Sequence, residues 1–213
     1  MRKPGSRERR VVTEGRTKLF GAMLAMVFLV NLARVIFAPL VGEFITVFDV
    51  GEATAGAIAT AVWFGSALPR LPAGWLLTRV PRHRVILGTG LVLTGASAFT
   101  ATADTVLTLA AGALLMGLSS GVYFVAANPL VSELYPQGVG RAMGIHGMAS
   151  QVAAVIAAPL VTLALVYSWR VAFVCIGVAA FVVTVALFVT ARRTDLPTAG
   201  ADDRDLLAGI KRE

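Results

Sequence analysis

Six long stretches of apolar residues, separated by short polar connections, dominate the pattern of this 213-residue chain. Because a helix rises about 1.5 Å per residue, roughly 20 apolar residues cross the hydrocarbon core of a bilayer, which is about 30 Å thick. Each stretch is long enough or nearly so. The pattern therefore predicts an all-α membrane protein with six transmembrane helices. The stretches are 19–41, 54–77, 85–103, 106–131, 142–166 and 170–190.

Composition agrees with a membrane protein. Hydrophobic residues make up 57% of the chain, charged residues 15%, and the mean hydropathy is +0.78. A water-soluble domain has about 25% charged residues, so such a fold would expose far too much apolar surface. Cys175 is the only cysteine, which excludes an intrachain disulfide. No residue pattern predicts a bound metal or cofactor.

The charges alternate in sign from one connection to the next. Basic residues precede the first apolar stretch, join the second to the third, precede the fifth and follow the sixth. The connection between the first and second stretches and the one between the third and fourth carry only acidic residues. This distribution predicts that both termini are cytoplasmic. It also explains the net charge of +7 without a nucleic-acid partner. The basic residues are Arg2, Lys3, Arg7, Arg9, Arg10, Arg16, Lys18, Arg79, Arg82, Arg84, Arg141, Arg192 and Arg193, and the acidic ones are Glu43, Asp49, Glu52 and Asp104.

The chain divides into three predicted parts: a basic cytoplasmic tail (1–18), a six-helix bundle (19–193) and a cytoplasmic linker (194–213) with a short amphipathic helix. Small residues recur at every fourth position on several stretches. In lipid, such stripes allow close backbone packing, so they predict a compact bundle. The stripes are Ala53, Ala57, Ala61 and Gly65; Ala113, Gly117 and Gly121; and Ala149, Ala153 and Ala157.

The loop between the second and third stretches reads GWLLTRVPRHR over 74–84. It resembles the G-x-L-a-D-R-x-G-R-R signature of the major facilitator superfamily. Gly74, Leu76, Arg79, Arg82 and Arg84 fit the pattern, and the resemblance implies a gating loop that contains the glycine and the three arginines. Thr78 stands where the family has Asp, and Pro81 where it has Gly. In the family that Asp steadies one gating state, so this contact is not carried over.

Four further segments resemble family motifs in the same order: 117–124, 140–147, 158–159 and 169–173. Gly112 replaces an Arg that is common on the fourth helix, which removes a proton-coupling role for it. The family has twelve helices in two bundles, each made of two three-helix repeats. The resemblance implies the amino-terminal bundle, half of an alternating-access secondary transporter and not an enzyme, in a prokaryotic cytoplasmic membrane. A truncated product, a second six-helix half and a second copy all remain open.

Arg34 in the first predicted helix and Arg70 in the second are charged residues within the spans, and Arg170 lies at one end of the sixth. A cation at the bilayer centre costs at least about 2.5–3.5 kcal/mol, which favours a cavity over lipid. Guanidinium groups bind planar oxyanions bidentately, and no carboxylate accompanies them, so a small organic or inorganic anion is the predicted substrate. The stretch around Arg70 is also similar to helix two of nitrate/nitrite porters. Further candidate cavity groups are Asn31, Trp63, Tyr123, Asn128 and Gln151.

Each candidate also has a purely structural interpretation, such as helix packing for Tyr123 or snorkelling for Arg70. A non-transporting six-helix membrane or accessory protein is the alternative function. The G-x-S-x-G match at 117–121 suggests an intramembrane serine protease, but the sixth stretch has no histidine to act as its base. His146 is predicted near a cytoplasmic helix end.

Overall fold

The computed structural model describes residues 6–194, with side chains from residue 15 onward. Within that range the chain forms eight helices and no strand, which confirms the all-α prediction. The helices are α1 (Ser6–Val35), α2 (Val41–Phe48), α3 (Glu52–Ala67), α4 (Arg70–Leu76), α5 (Arg82–Ala101), α6 (Val106–Leu134), α7 (Val139–Leu165) and α8 (Trp169–Arg192).

Five described segments are long and apolar enough to span a membrane: Gly15–Val35 of α1, and α5, α6, α7 and α8. The second predicted segment, 54–77, is instead divided into α3, with 16 residues, and the short α4. Pro69 lies at the division because proline lacks the N–H that continues a helical ladder. Leu68 and Pro69 keep right-handed helical backbone angles, so α4 follows α3 as an interrupted helix. The predicted count of six spanning helices is therefore not confirmed by helix length.

The first predicted segment, 19–41, ends earlier than the pattern suggested. Helix α1 stops at Val35, and α2 then occupies part of the connection in which the acidic residues were noted. Phe44 of α2 is fully buried and its ring lies 5.6 Å from that of Trp169, at right angles. Asp49 ends α2 with φ 51, a left-handed conformation that aspartate tolerates better than most residues. This short helix closes one end of the bundle.

The tail and the linker are described only in part. Helix α1 begins at Ser6, so the backbone of 6–18 is helical and continuous with the spanning part. The amphipathic helix predicted within 194–213 lies outside the described residues. The boundaries of the three predicted parts therefore stay predictions.

Close packing of α3 against α6 depends on glycine. A Cβ atom on Gly117 would collide with the carbonyl oxygen of Val62, and one on Gly121 with the carbonyl oxygen of Ser66. Gly65 of α3 meets α6 in the same way, at the carbonyl of Leu114. On these two helices, the glycines of the predicted small-residue stripes therefore lie in the contact between α3 and α6. The other end of the α3 stripe, at 53 and 57, is exposed.

The remaining helices complete the bundle around α1. Helix α1 packs on α6, α7 and α8, while α5 packs on α6 and α8. Arg82 at the start of α5 pairs with Glu133 near the end of α6, and at the opposite end Arg170 of α8 pairs with Asp104 at 3.0 Å. These contacts leave a cleft between α1, α4, α6 and α7.

Candidate functional site

An open cleft of about 610 Å³ lies between these four helices and brings four of the predicted site residues together. They are Arg34, Arg70, Asn128 and Gln151. The other lining residues are Phe124, Val125, Gly147 and Ser150. The lining therefore contains two guanidinium groups and three neutral polar side chains, without a carboxylate among the described lining residues.

Arg34 lies in the last turn of α1, where a cation is favoured by the helix dipole. One terminal nitrogen donates a hydrogen bond to Oδ1 of Asn31. The guanidinium carbon lies 4.5 Å from the centre of the Trp63 ring and 5.5 Å from that of Phe124. Both distances are within the range of cation–π attraction. The Arg34 side chain is thus half-buried and held on several sides.

Asn31 lies behind Arg34 and outside the cleft lining. It is 1% exposed, and its side-chain nitrogen donates to the carbonyl oxygen of Ser150 on α7 at 2.6 Å. Its oxygen accepts from Arg34, so both ends of the amide are satisfied. Asn31 therefore contacts two residues that line the cleft, Arg34 and Ser150, but does not line the cleft itself.

Arg70 is the first residue of α4 and is exposed. Its Nε donates to the carbonyl oxygen of Ser66 at 3.1 Å, which directs the side chain back along α3. This is the only hydrogen bond of the Arg70 side chain among residues 15–194. Its terminal nitrogens are consequently available to a ligand in the cleft.

Tyr123 does not line the cleft. Its side chain is fully buried, and its hydroxyl donates to the carbonyl oxygen of Met23 at 2.8 Å. The same oxygen lies 3.2 Å from Nε2 of His146, which is 2% exposed. The two rings are stacked with centres 5.9 Å apart. Tyr123, predicted as a cavity group, therefore lies in the protein interior, and so does His146, which was predicted near a cytoplasmic helix end.

The four residues of the predicted gating loop have different surroundings. Gly74 lies in α4 and Arg84 is exposed. The guanidinium of Arg79 lies 4.2 Å from the ring centre of Trp75, whereas Arg82 is 8% exposed and pairs with Glu133. Thr78, at the family's Asp position, donates to the carbonyl oxygen of Trp75 at 2.7 Å. Thr78 thus makes a local contact within the loop.

Sequence reasoning missed Phe124, Val125, Gly147, Ser150 and Glu133. Helical spacing could have indicated two of them, because Phe124 precedes Asn128 by four residues and Gly147 precedes Gln151 by four. Residues four apart share a helix face. Glu133 is the one carboxylate of α6 and lies 51 positions from Arg82, so no local pattern indicates its ion pair.

Comparison with known proteins identifies the family of the chain. The sequence profile of the Major Facilitator Superfamily matches residues 23–210, which is most of the sequence. The chain belongs to the major facilitator superfamily. No curated protein matches the sequence significantly.

Solved structures of superfamily-type transporters share the fold. One is a bacterial homologue of the human lysosomal transporter Spinster in an inward-facing, unoccupied conformation, with TM-score 0.75, 18% identity, and coverage of 91% of this chain and 46% of that chain. A mutant of the peptide transporter POT in complex with alafosfalin gives TM-score 0.74, 20% identity, and coverage of 93% and 43%. The POT family transporter PepTSo gives TM-score 0.73, 20% identity, and coverage of 87% and 39%.

At these identities the likeness concerns the fold alone. The chain spans less than half the length of each of these solved proteins. The family and the described spanning helices establish a multi-pass membrane protein with the fold of the superfamily.

Proposed function

We propose that this chain forms one bundle of a secondary active transporter, and that it works by alternating access against a second six-helix bundle. The similar solved proteins are more than twice as long as the part this chain covers, which supports a missing counterpart. The cleft gives a second reason. Exposed polar groups such as Arg70 and Gln151 within the bundle are costly in lipid and need a cover. A separate half or a second copy of this chain would supply it.

The proposed substrate is an anion. The observation that carries this proposal is the presence of two guanidinium groups, Arg34 and Arg70, in one cleft whose described lining has no carboxylate. Arg34 is held by neighbours, while the terminal nitrogens of Arg70 make no hydrogen bond to the described residues. A planar oxyanion between them would receive charge-assisted, bidentate hydrogen bonds. Nitrate or nitrite is one candidate for this anion, because the stretch around Arg70 is similar to helix two of nitrate/nitrite porters.

The proposed location is the cell membrane, with both termini in the cytoplasm. Within the described residues, the basic positions outside the cleft are concentrated at one end of the bundle, except for Arg170. That end includes Arg82 and Arg84 at the start of α5, and Arg192 at the end of α8. Cytoplasmic ends of membrane helices carry such an excess of positive charge.

The alternative function is a non-transporting membrane or accessory protein with the same fold. It is supported by the division of the second predicted segment into α3 and α4, which leaves five described helices long and apolar enough to span a membrane. A protein of this kind would have no need of an anion site, so anion binding separates the two proposals.

Calorimetric titration of the purified chain in lipid nanodiscs with nitrate, sulfate and phosphate tests the anion proposal. Replacing Arg34 or Arg70 by Lys keeps the charge but removes the planar fork, and we expect at least about tenfold weaker binding. Arg170→Lys is the matched control, because Arg170 is outside the described lining of the cleft and pairs with Asp104. Equal affinities in all three variants, or no saturable binding by the unaltered chain, would remove the anion proposal.

A further inference from the structure

One amide side chain connects the anion-binding arginine to a neighbouring helix. Asn31 accepts a hydrogen bond from Arg34 and donates one to the carbonyl oxygen of Ser150 on α7, at 2.6 Å. These two contacts use the opposite ends of the amide, one as acceptor and one as donor. The amide of asparagine supplies a neutral acceptor oxygen and an N–H donor on one planar group. Residue 31 is thus chemically suited to both partners at once.

The contact matters because Arg34 has few other polar partners. Among residues 15–194 Asn31 is the only hydrogen-bond partner of the Arg34 side chain, and the Nε atom is buried without one. The remaining contacts are the aromatic rings of Trp63 and Phe124. Ring faces attract the cation but leave it free to turn in the plane of the ring. The hydrogen bond that Arg34 donates to Asn31 fixes this rotation.

Bidentate recognition of an anion depends on that rotation. A guanidinium presents its donors in a rigid plane, so an anion is bound well only when this plane is held in one direction. A long side chain that becomes ordered only when the anion binds loses conformational entropy, and this loss reduces the affinity. A side chain that is already ordered avoids this loss. The carbonyl of Ser150 belongs to a lining residue of the cleft, so the same contact also fixes the position of α7 at the cleft wall.

We propose that Asn31 is a positioning residue for anion binding: it holds the Arg34 guanidinium in its binding orientation and ties that orientation to α7. The proposal rests on the proposed function, because it requires that Arg34 binds an anion. It assigns Asn31 a role through Arg34 and not direct contact with the substrate. Aspartate at this position would pair with Arg34, compete with the anion and repel the carbonyl of Ser150.

The test compares Asn31→Ala and Asn31→Asp with Thr162→Ala in the full chain. Thr162 is an exposed residue of α7 whose hydroxyl bonds only to its own helix, at Ala158, among the described residues. The first readout is the emission of Trp63 without any anion, obtained as the difference from the same protein carrying Trp63→Phe. The second is the affinity for nitrate, sulfate and phosphate by calorimetry, in a buffer free of other oxyanions.

We expect altered Trp63 emission in Asn31→Ala, because the guanidinium over this ring loses its anchor. Anion affinity should fall about tenfold in Asn31→Ala, the value of one hydrogen bond to a charged group, and further in Asn31→Asp. The control should match the unaltered chain in both readouts. Thermal unfolding measures separately how much stability is lost with the hydrogen bond from Asn31 to the carbonyl oxygen of Ser150 on α7.

Two results would overturn the proposal. Unchanged Trp63 emission in Asn31→Ala shows that the residue does not orient Arg34. Lower thermal stability with unchanged anion affinity in both variants shows a purely structural role. Failure of the proposed function looks different, because the unaltered chain then binds none of the three anions, whereas the Trp63 readout still reports on the orientation of Arg34. If Asn31→Ala does not fold, the affinity of Asn31→Asp carries the test: it should fall because the carboxylate pairs with Arg34, and unchanged affinity would overturn the proposal.

Discussion

Gly117 on α6 offers the sharpest test of how the bundle is held together. Its position against α3 leaves no room for a side chain, since a Cβ atom would meet the carbonyl oxygen of Val62 and lie 2.9 Å from the amide nitrogen of Ser66. Both are backbone atoms, which cannot move without shifting α3. We predict that Gly117→Ala forces the two helices apart and destabilises the protein.

The magnitude follows from two opposing terms. Alanine favours a helix interior over glycine by up to about 1 kcal/mol, and overpacking a close contact costs about 1–3 kcal/mol. Gly88→Ala on α5 is the matched control, because a Cβ atom there has nothing within 4 Å. The propensity term is common to both variants. Their difference in unfolding free energy should therefore be about 1–3 kcal/mol, with Gly117→Ala the less stable.

Reversible unfolding in mixed detergent micelles, followed by circular dichroism, measures this difference. Parallel thermal unfolding in nanodiscs checks that the order of stabilities does not depend on the micelle. If Gly117→Ala is as stable as Gly88→Ala, the close approach of α3 to α6 does not stabilise the bundle and the packing argument is wrong.

Three further predictions concern the two ends and the interior. Replacing Arg82 or Glu133 singly by Gln should cost about 3 kcal/mol of unfolding free energy, and the double variant should cost less than the sum in a double-mutant cycle; additive costs would contradict the pair. Tyr123→Phe should lower stability by about 1–2 kcal/mol, through the lost hydroxyl contacts, while anion affinity stays unchanged; weaker anion binding would place Tyr123 in the site. Cysteines introduced at Glu52 and His83, in a background without the native cysteine, should react with an impermeant thiol reagent from opposite sides of the membrane; labelling of both from outside would overturn the topology.

The sequence predicted the parts of the fold that depend on chain-wide pattern. A bilayer requires long apolar stretches, and a close helix contact requires small residues at every fourth position. The bundle and the contacts of Gly117 and Gly121 could therefore be predicted. The break at Pro69 was harder to predict because proline is common in membrane helices and often only bends them. Helix α2 was not predicted because its single acidic residue, Glu43, and the neighbouring Asp49 are typical of a loop.

The site could be predicted only for residues whose chemistry is unusual in a membrane. Arg34 and Arg70 are costly in lipid wherever they lie, and the structure brings both to one cleft. Tyr123 is amphipathic, and a single sequence does not decide between cavity and core for such a side chain. The amide bridge of Asn31 depends on the approach of α7, a contact between residues 119 positions apart that no local pattern encodes.

Anion uptake into liposomes at decreasing protein-to-lipid ratios tests most directly the central claim that one chain supplies one wall of a transport path. Nitrate, sulfate and phosphate serve as substrates, and the number of chains per vesicle is counted by single-vesicle fluorescence. The account predicts that saturable uptake is absent from vesicles holding one chain and requires a second copy or a second six-helix half. Saturable uptake by vesicles that hold a single 213-residue chain would contradict it.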